Sequence, residues 1–124
     1  MKHEAAPGVG RPLIYIAGPY THPDPVLNTH TAIHVAEEVE SLGADVVIPH
    51  LTLIWQLVSP APLERWYARD IAVMHRCDAL VRIPGESAGA DAEVEAFRQR
   101  VFLWPDDRDE LAVWIAGGSS AEGH

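Results

Sequence analysis

The sequence predicts an α/β domain, a three-layer sandwich in which helices cover both faces of a parallel sheet of four to five strands. Three observations predict it. Short, β-rich apolar runs alternate along the chain with helix-length segments, a pattern that implies right-handed crossovers and parallel strands. The first three runs stop at Gly18-Pro19, Pro49 and Pro84-Gly85, residues that punctuate strand ends. The 124 residues suffice for one hydrophobic core and not for two.

Residues 1–12 carry Pro7, Gly8 and Gly10 without periodicity and read as a flexible arm, so the single domain is expected over 13–116. Leu13-Ile14-Tyr15-Ile16-Ala17 is the first strand. The loop from Tyr20 to Pro25 precedes a helix of about Val26 to Leu42, with Gly43 in the position that commonly ends a helix. Its expected inward stripe is Asn28, Thr31, Val35, Val39 and Leu42, while Val26 and Ile33 read as exposed apolar residues and hint at a subunit contact. Asp45-Val46-Val47-Ile48 is the second strand. Residues 50–62 read as a long connection rich in aromatic residues and proline, a length often tied to function. A helix from about Leu63 to Arg76 follows, then a third strand (79–83), a helix to about Gln99, a fourth strand (101–104) and a helix from about Asp107 to Ala116. Residues 117–124 read as a disordered tail.

Composition excludes several classes. No apolar run approaches the roughly 20 residues of a membrane span, and the start Met1-Lys2-His3-Glu4 lacks the apolar segment of a secretory signal. A single cysteine, Cys77, rules out an internal disulfide and suits a reducing cytosol, so a cytoplasmic location is expected. The formal charge of −9 argues against a nucleic acid polymer as partner. It leaves room for one small nucleotide held by helix N-termini and backbone N–H groups.

Two carboxylates sit where acids rarely sit. In the helix after Ser87-Ala88-Gly89, the residues Ala90, Val94 and Phe97 fall within about 60° of one another and define the buried stripe. Asp91 and Glu95 point away from it, whereas Glu93 lies about 40° from Phe97, at the edge of the apolar face. In the preceding helix, Leu63, Trp66, Tyr67, Ile71, Val73, Met74 and Cys77 form a broad apolar arc with Asp70 near its middle. Desolvating an ion costs several kcal/mol, so inward carboxylates are paired or functional. Ligands of parallel sheets bind beyond the carboxyl ends of the strands, where the strand order reverses. If the first strand is central, Gly18-Pro19-Tyr20-Thr21 and Gly85-Glu86-Ser87-Ala88-Gly89 meet there.

Glu93 and Asp70 fit a nucleophile and acid/base pair of the kind that cleaves glycosidic bonds; the alternative is two unrelated structural acids. Ser87 with Gly85 and Gly89 reads either as an anion cradle at a helix N-terminus or as a simple N-cap. Tyr15, in a strand covered on both faces, needs a partner for its hydroxyl, and a crevice carboxylate or a backbone carbonyl would serve. His50, Trp55, Trp66 and Tyr20 offer aromatic surface to stack a nucleobase, or ordinary core and dimer contacts. The seven histidines have no metal-like spacing beyond the pair His30 and His34, and no metal site is expected.

Ile14-Tyr15-Ile16-Ala17-Gly18-Pro19-Tyr20, Asp70 in Trp66-Tyr67-Ala68-Arg69-Asp70, and Ser87-Ala88-Gly89-Ala90-Asp91-Ala92-Glu93 together resemble the nucleoside 2-deoxyribosyltransferase superfamily. The likeness spans roughly residues 13–104 and looks nearest to the small branch of nucleoside 5′-monophosphate N-glycosidases. It implies a Rossmann-like, flavodoxin-like fold and a glycosyl-transfer site that uses no cofactor. It further implies Glu93 as nucleophile at the sugar C1′, Asp70 assisting base departure or holding sugar hydroxyls, and Tyr15 orienting Glu93. Family members assemble as homodimers or larger, often completing each site with a neighbour's residues. Where the transferases carry an acid six residues before the nucleophile, this chain has Ser87, as in the nucleotide hydrolases. The hydrolases' arginine after the first strand is missing here, where the loop reads Pro19-Tyr20-Thr21-His22. The resemblance therefore implies a small-molecule nucleotide or nucleoside as ligand; the crevice loops and their aromatic mouth, rather than the family, offer Gly18, Pro19, Tyr20, His50, Trp55, Ser87 and Gly89 as candidate binding residues.

Overall fold

The computed structural model describes residues 10–117. Four parallel strands, β1 (Leu13–Ala17), β2 (Asp45–Val47), β3 (Ala79–Arg82) and β4 (Arg100–Leu103), form one sheet in the order β2-β1-β3-β4. Five helices accompany them: α1 (Pro25–Ser41), α2 (Thr52–Val58), α3 (Leu63–Met74), α4 (Ala88–Ala96) and α5 (Arg108–Ala116). The sheet is thus a three-layer, Rossmann-like parallel α/β arrangement, with β1 central and paired to Asp45–Val47 on one side and Ala79–Arg82 on the other. Among the described residues there are four strands and no fifth.

The period of two along β1 divides the core. Ile14 and Ile16 point to one face, where Ala32, Val35, Ala36 and Val39 of α1 and Leu111 and Ile115 of α5 cover them. Tyr15 and Ala17 point to the other, beneath Met74 of α3, Ala90 of α4 and Phe97. Each helix layer follows from its sequence. Asp24 caps α1, its carboxylate accepting from the N–H groups of Val26 (2.8 Å) and Leu27 (3.2 Å). Gly43, at φ +112°, ends that helix in the expected position.

Several expectations are corrected. The α1 stripe runs through Ala32, Val35, Ala36 and Val39, while Thr31 is exposed and Ile33 half-buried, because two alanines allow close approach to the sheet. The connection 50–62 is not irregular: a 3-10 turn at Pro49–Leu51 leads directly into α2. Helix α4 stops at Ala96, since Phe97 is extended (ψ 133°) and swings its ring into the core as a cap residue. Of the expected arm, residues 1–9 lie outside the described residues, whereas its end is tied down. Arg11 donates to the carbonyls of Ala44 (2.6 Å) and Glu40 (3.0 Å), and the Pro12 carbonyl accepts from Asp45 N–H (2.9 Å). Of the expected tail, 117–124, residues 118–124 also lie outside the described residues, whereas Gly117 caps α5.

Candidate active site

Because β2 lies to one side of β1 and β3 to the other, the loops after β1 and β3 diverge around a crevice at the carboxyl ends of the strands. The loops themselves are interlocked by two glycines. A Cβ on Gly18 would lie 2.9 Å from Ile83 Cβ, and one on Gly85, whose φ is +123°, would lie 2.8 Å from Pro19 Cγ. Only glycine permits both approaches. The result is a cavity of about 740 Å³ walled by these loops, by α3 and by the first turns of α4.

Glu93 and Asp70 both line it, so the two inward acids do converge on one hollow. Glu93 is 8% exposed, and its Oε2 accepts a 2.8 Å hydrogen bond from the Tyr15 hydroxyl, which rises from the buried face of β1. Of the two partners the sequence left open for Tyr15, the structure selects the carboxylate. Burial raises Glu93 above the usual carboxylate range, while the Tyr15 hydrogen bond and the Arg82 guanidinium pull the other way. Asp70 is pushed up to about 7, first by burial and then by the charge on Glu93, with Arg69 opposing. The charge on Glu93 thus favours retention of the proton on Asp70. Tyr15 is raised strongly by burial and then by Glu93 and Asp70. Burial, and next the Asp70 charge, also raise Tyr20.

Gly18, Pro19, Tyr20, His50, Ser87 and Gly89 all line the cavity, as expected. His50 is 3% exposed, and its Nε2 donates to the Pro19 carbonyl at 2.9 Å, with the Tyr20 ring edge-on at 5.7 Å. Burial lowers the His50 pKa, against the hydrogen bonds to the Pro19 and Gly18 backbone, and the ring fixes the β1 loop. Ser87 is the N-cap of α4, its Oγ accepting from Ala90 N–H at 3.1 Å, and it faces the cavity as well.

Trp55 is the exception. It does not line the cavity in the single chain; it meets Trp66 edge-on at 5.0 Å and lies under the Arg69 guanidinium at 4.5 Å. The cause is α2, which turns Trp55 toward α3 rather than toward the strand ends. Trp66 is likewise absent from the lining, buried, and donates its indole N–H to Gln56 Oε1. Among the described residues, no group of three His, Cys, Asp or Glu side chains could hold a metal ion.

Leu63, Glu64 and Tyr67 were missed as site residues, although Leu63, Tyr67 and Asp70 recur at helical spacing on one face. That arc was read as core. Leu63 and Tyr67 instead form a cavity wall and remain exposed, so the mixture of apolar residues with one acid was the available signal.

These features define a parallel α/β domain with a carboxylate pair in the crevice where its strand order reverses. The chain belongs to the family described as Domain of unknown function (DUF4406), whose model matches residues 12–102. No curated protein matches it.

Proposed function

We propose that this protein hydrolyses the N-glycosidic bond of a (deoxy)nucleoside 5′-monophosphate, with Glu93 as nucleophile and Asp70 as acid/base. The observation that carries the reading is that Glu93, oriented by Tyr15, and Asp70, whose pKa is pushed up to about 7, line one cavity. Glu93 attacks C1′ as the C1′–N bond breaks, and the departing base takes the proton of Asp70. Asp70, now ionised, removes a proton from water, which attacks C1′, releases the sugar and frees Glu93. This double displacement needs one carboxylate to attack and a second carboxyl to carry the proton, and burial raises Asp70 toward that second role. The chemistry requires no metal or organic cofactor.

A second reading, transfer of deoxyribose between bases, is favoured by the lining's charge. Among the described residues it includes Glu64, Asp70, Glu86 and Glu93 and neither lysine nor arginine. A 5′-phosphate would rely on the N–H groups opening α4 and on His22, whereas a neutral nucleoside needs no cation. A non-catalytic nucleotide-binding or scaffolding role is the third reading.

One experiment separates them. Nucleosides and 5′-monophosphates are incubated with the protein, with and without a second free base, and released and exchanged bases are resolved by chromatography. Hydrolysis releases base regardless of acceptor; transfer makes a new nucleoside only when acceptor is present. Glu93→Gln is expected to lose turnover at least hundredfold while ligand binding remains. Wild-type turnover in that variant rejects both enzymatic readings.

We further infer a homodimer or higher homo-oligomer, because Leu51, Ile54, Leu57, Val58 and Leu63 leave a large apolar surface beside the cavity. No helix among the described residues is long and apolar enough to cross a membrane. A cytoplasmic site of action fits the buried thiol of Cys77.

A further inference from the structure

Arg82 ends β3 and does not line the cavity. Its side chain is 11% exposed and reaches three acceptors: Gly85 O at 3.1 Å, Asp91 Oδ1 at 2.7 Å, and the Ile83 carbonyl. Two of these belong to the turn after β3, and the third to the first turn of α4. Gly85 in turn lies against Pro19, so a guanidinium that fixes the β3–α4 turn also fixes the β1 loop resting on it. Both loops wall the cavity, and Glu93 follows Asp91 by two residues on the same helix.

Arg82 is also a charge behind an acidic hollow. Tyr15 from β1 is hydrogen-bonded to Glu93, and Asp70 from α3 and Arg82 from β3 are coupled to it electrostatically; Asp91, on its own helix, is bound to Arg82. Of these, Arg82 alone is a cation. Burial of Glu93 is opposed by this guanidinium and by the Tyr15 hydroxyl.

We propose that Arg82 is a positioning residue for the Glu93 carboxylate, clamping the β3–α4 turn through Gly85 and Asp91 and supplying a cation on the Glu93 side of a cavity whose lining holds neither lysine nor arginine. The role rests on Glu93 being the reacting carboxylate, but it can be read without any substrate. The plainer alternative is a partly exposed ion pair that only tidies a turn.

The sign of two substitutions decides between them. The Glu93 carboxyl is titrated by carbon-13 NMR in the wild type, Arg82→Gln and Asp91→Asn. Arg82→Gln removes the cation and should move the Glu93 midpoint up. Asp91→Asn removes an anion and leaves the guanidinium uncompensated, so it should move the midpoint down. Each displacement is expected at about half a pH unit or more, and Arg82→Lys should return the midpoint toward the wild type. A purely structural clamp would loosen α4 in both variants and displace both midpoints the same way, or neither. Either of those results overturns the proposal. If Arg82→Gln does not fold, Asp91→Asn decides alone, since its side chain is largely exposed: a downward move supports the role, and none or an upward one ends it. Opposite displacements without any base release would reject the glycosidic reading and leave the Arg82 assignment standing.

Discussion

The Tyr15 hydroxyl and Glu93 Oε2 lie 2.8 Å apart, joining the central strand to α4 across 78 residues of sequence. The phenol sits on the same side of β1 as Ala17, beneath α3 and α4, so it can reach only the crevice side of the sheet. Burial and the neighbouring carboxylates keep it protonated, so it is a permanent donor. It thereby selects one orientation of Glu93 and leaves the second oxygen to the cavity.

Tyr15→Phe tests this relationship. A hydrogen bond to a charged group contributes about 1.5–3 kcal/mol, so kcat/KM should fall roughly 10- to 100-fold. The Tyr15 bond favours ionised Glu93, hence its loss should also move the acid limb of the pH profile to higher pH. An unchanged limb, with only a small loss of rate, would show that the bond serves packing alone.

Asp70 gives a pH dependence of opposite sign to that of an ordinary ion-paired carboxylate. Its folded pKa, about 7, lies above the 3.8 of an unperturbed aspartate, so between those limits the folded state holds a proton that the unfolded state has released. Stability from this group is therefore present at low pH and is lost as pH rises from about 4 to 7. Asp70→Asn should stabilise the protein at pH 8 by about 1–2 kcal/mol, after allowance for solvent screening of a half-buried group, and not at pH 3. Activity should decline above pH 7 in the wild type, as the acid is lost. Thermal melts at both pH values and a kcat/KM profile check the two halves separately.

The fold was legible because strands and helices alternate cleanly and Ile14-Tyr15-Ile16-Ala17 marks a strand buried on both faces. Glu93 and Asp70 were legible because a carboxylate violates an apolar face, which periodicity detects. Trp55 was not, since its placement depends on α2, whose seven residues bury none of their side chains and so carry no inward stripe to read. Arg82 was invisible for another reason. A single cation at a strand end is ordinary in sequence, and its acceptors at Gly85 and Asp91 are brought to it only by the turn.

The interlocked loops make their own prediction. Gly85→Ala forces a side chain into φ +123° and within 2.8 Å of Pro19, so it should destabilise the fold by about 1–3 kcal/mol. Gly89→Ala, whose Cβ would meet Ser87 Oγ only at 4.0 Å, should be neutral or stabilise by up to about 1 kcal/mol as a helical control. Denaturant melts of the two variants, compared at equal m-value, give the difference. Equal stabilities would mean that the β3 turn yields to accommodate the methyl group.

The apolar segment from Leu51 to Tyr67 sets the last prediction. Seven large apolar side chains there are each at least 39% exposed, and Leu57 and Val58 reach 68% and 78%. Stable interfaces take ~800 Å² from each partner, and seven such side chains supply apolar area of that order. Trp55, Arg65 and Arg69 stack within the same surface, a composition typical of interface hot spots. Leu57→Glu combined with Val58→Glu should therefore give monomers by sedimentation equilibrium, while the far-UV spectrum stays unchanged because neither residue is buried. Val113→Glu, equally exposed (72%) but on α5, should leave the assembly intact. Because Leu63 and Tyr67 belong both to this surface and to the cavity wall, separated chains should bind ligand less tightly than the assembled ones. A monomeric wild type, or a double variant that still associates, would remove the α2–α3 surface from the interface.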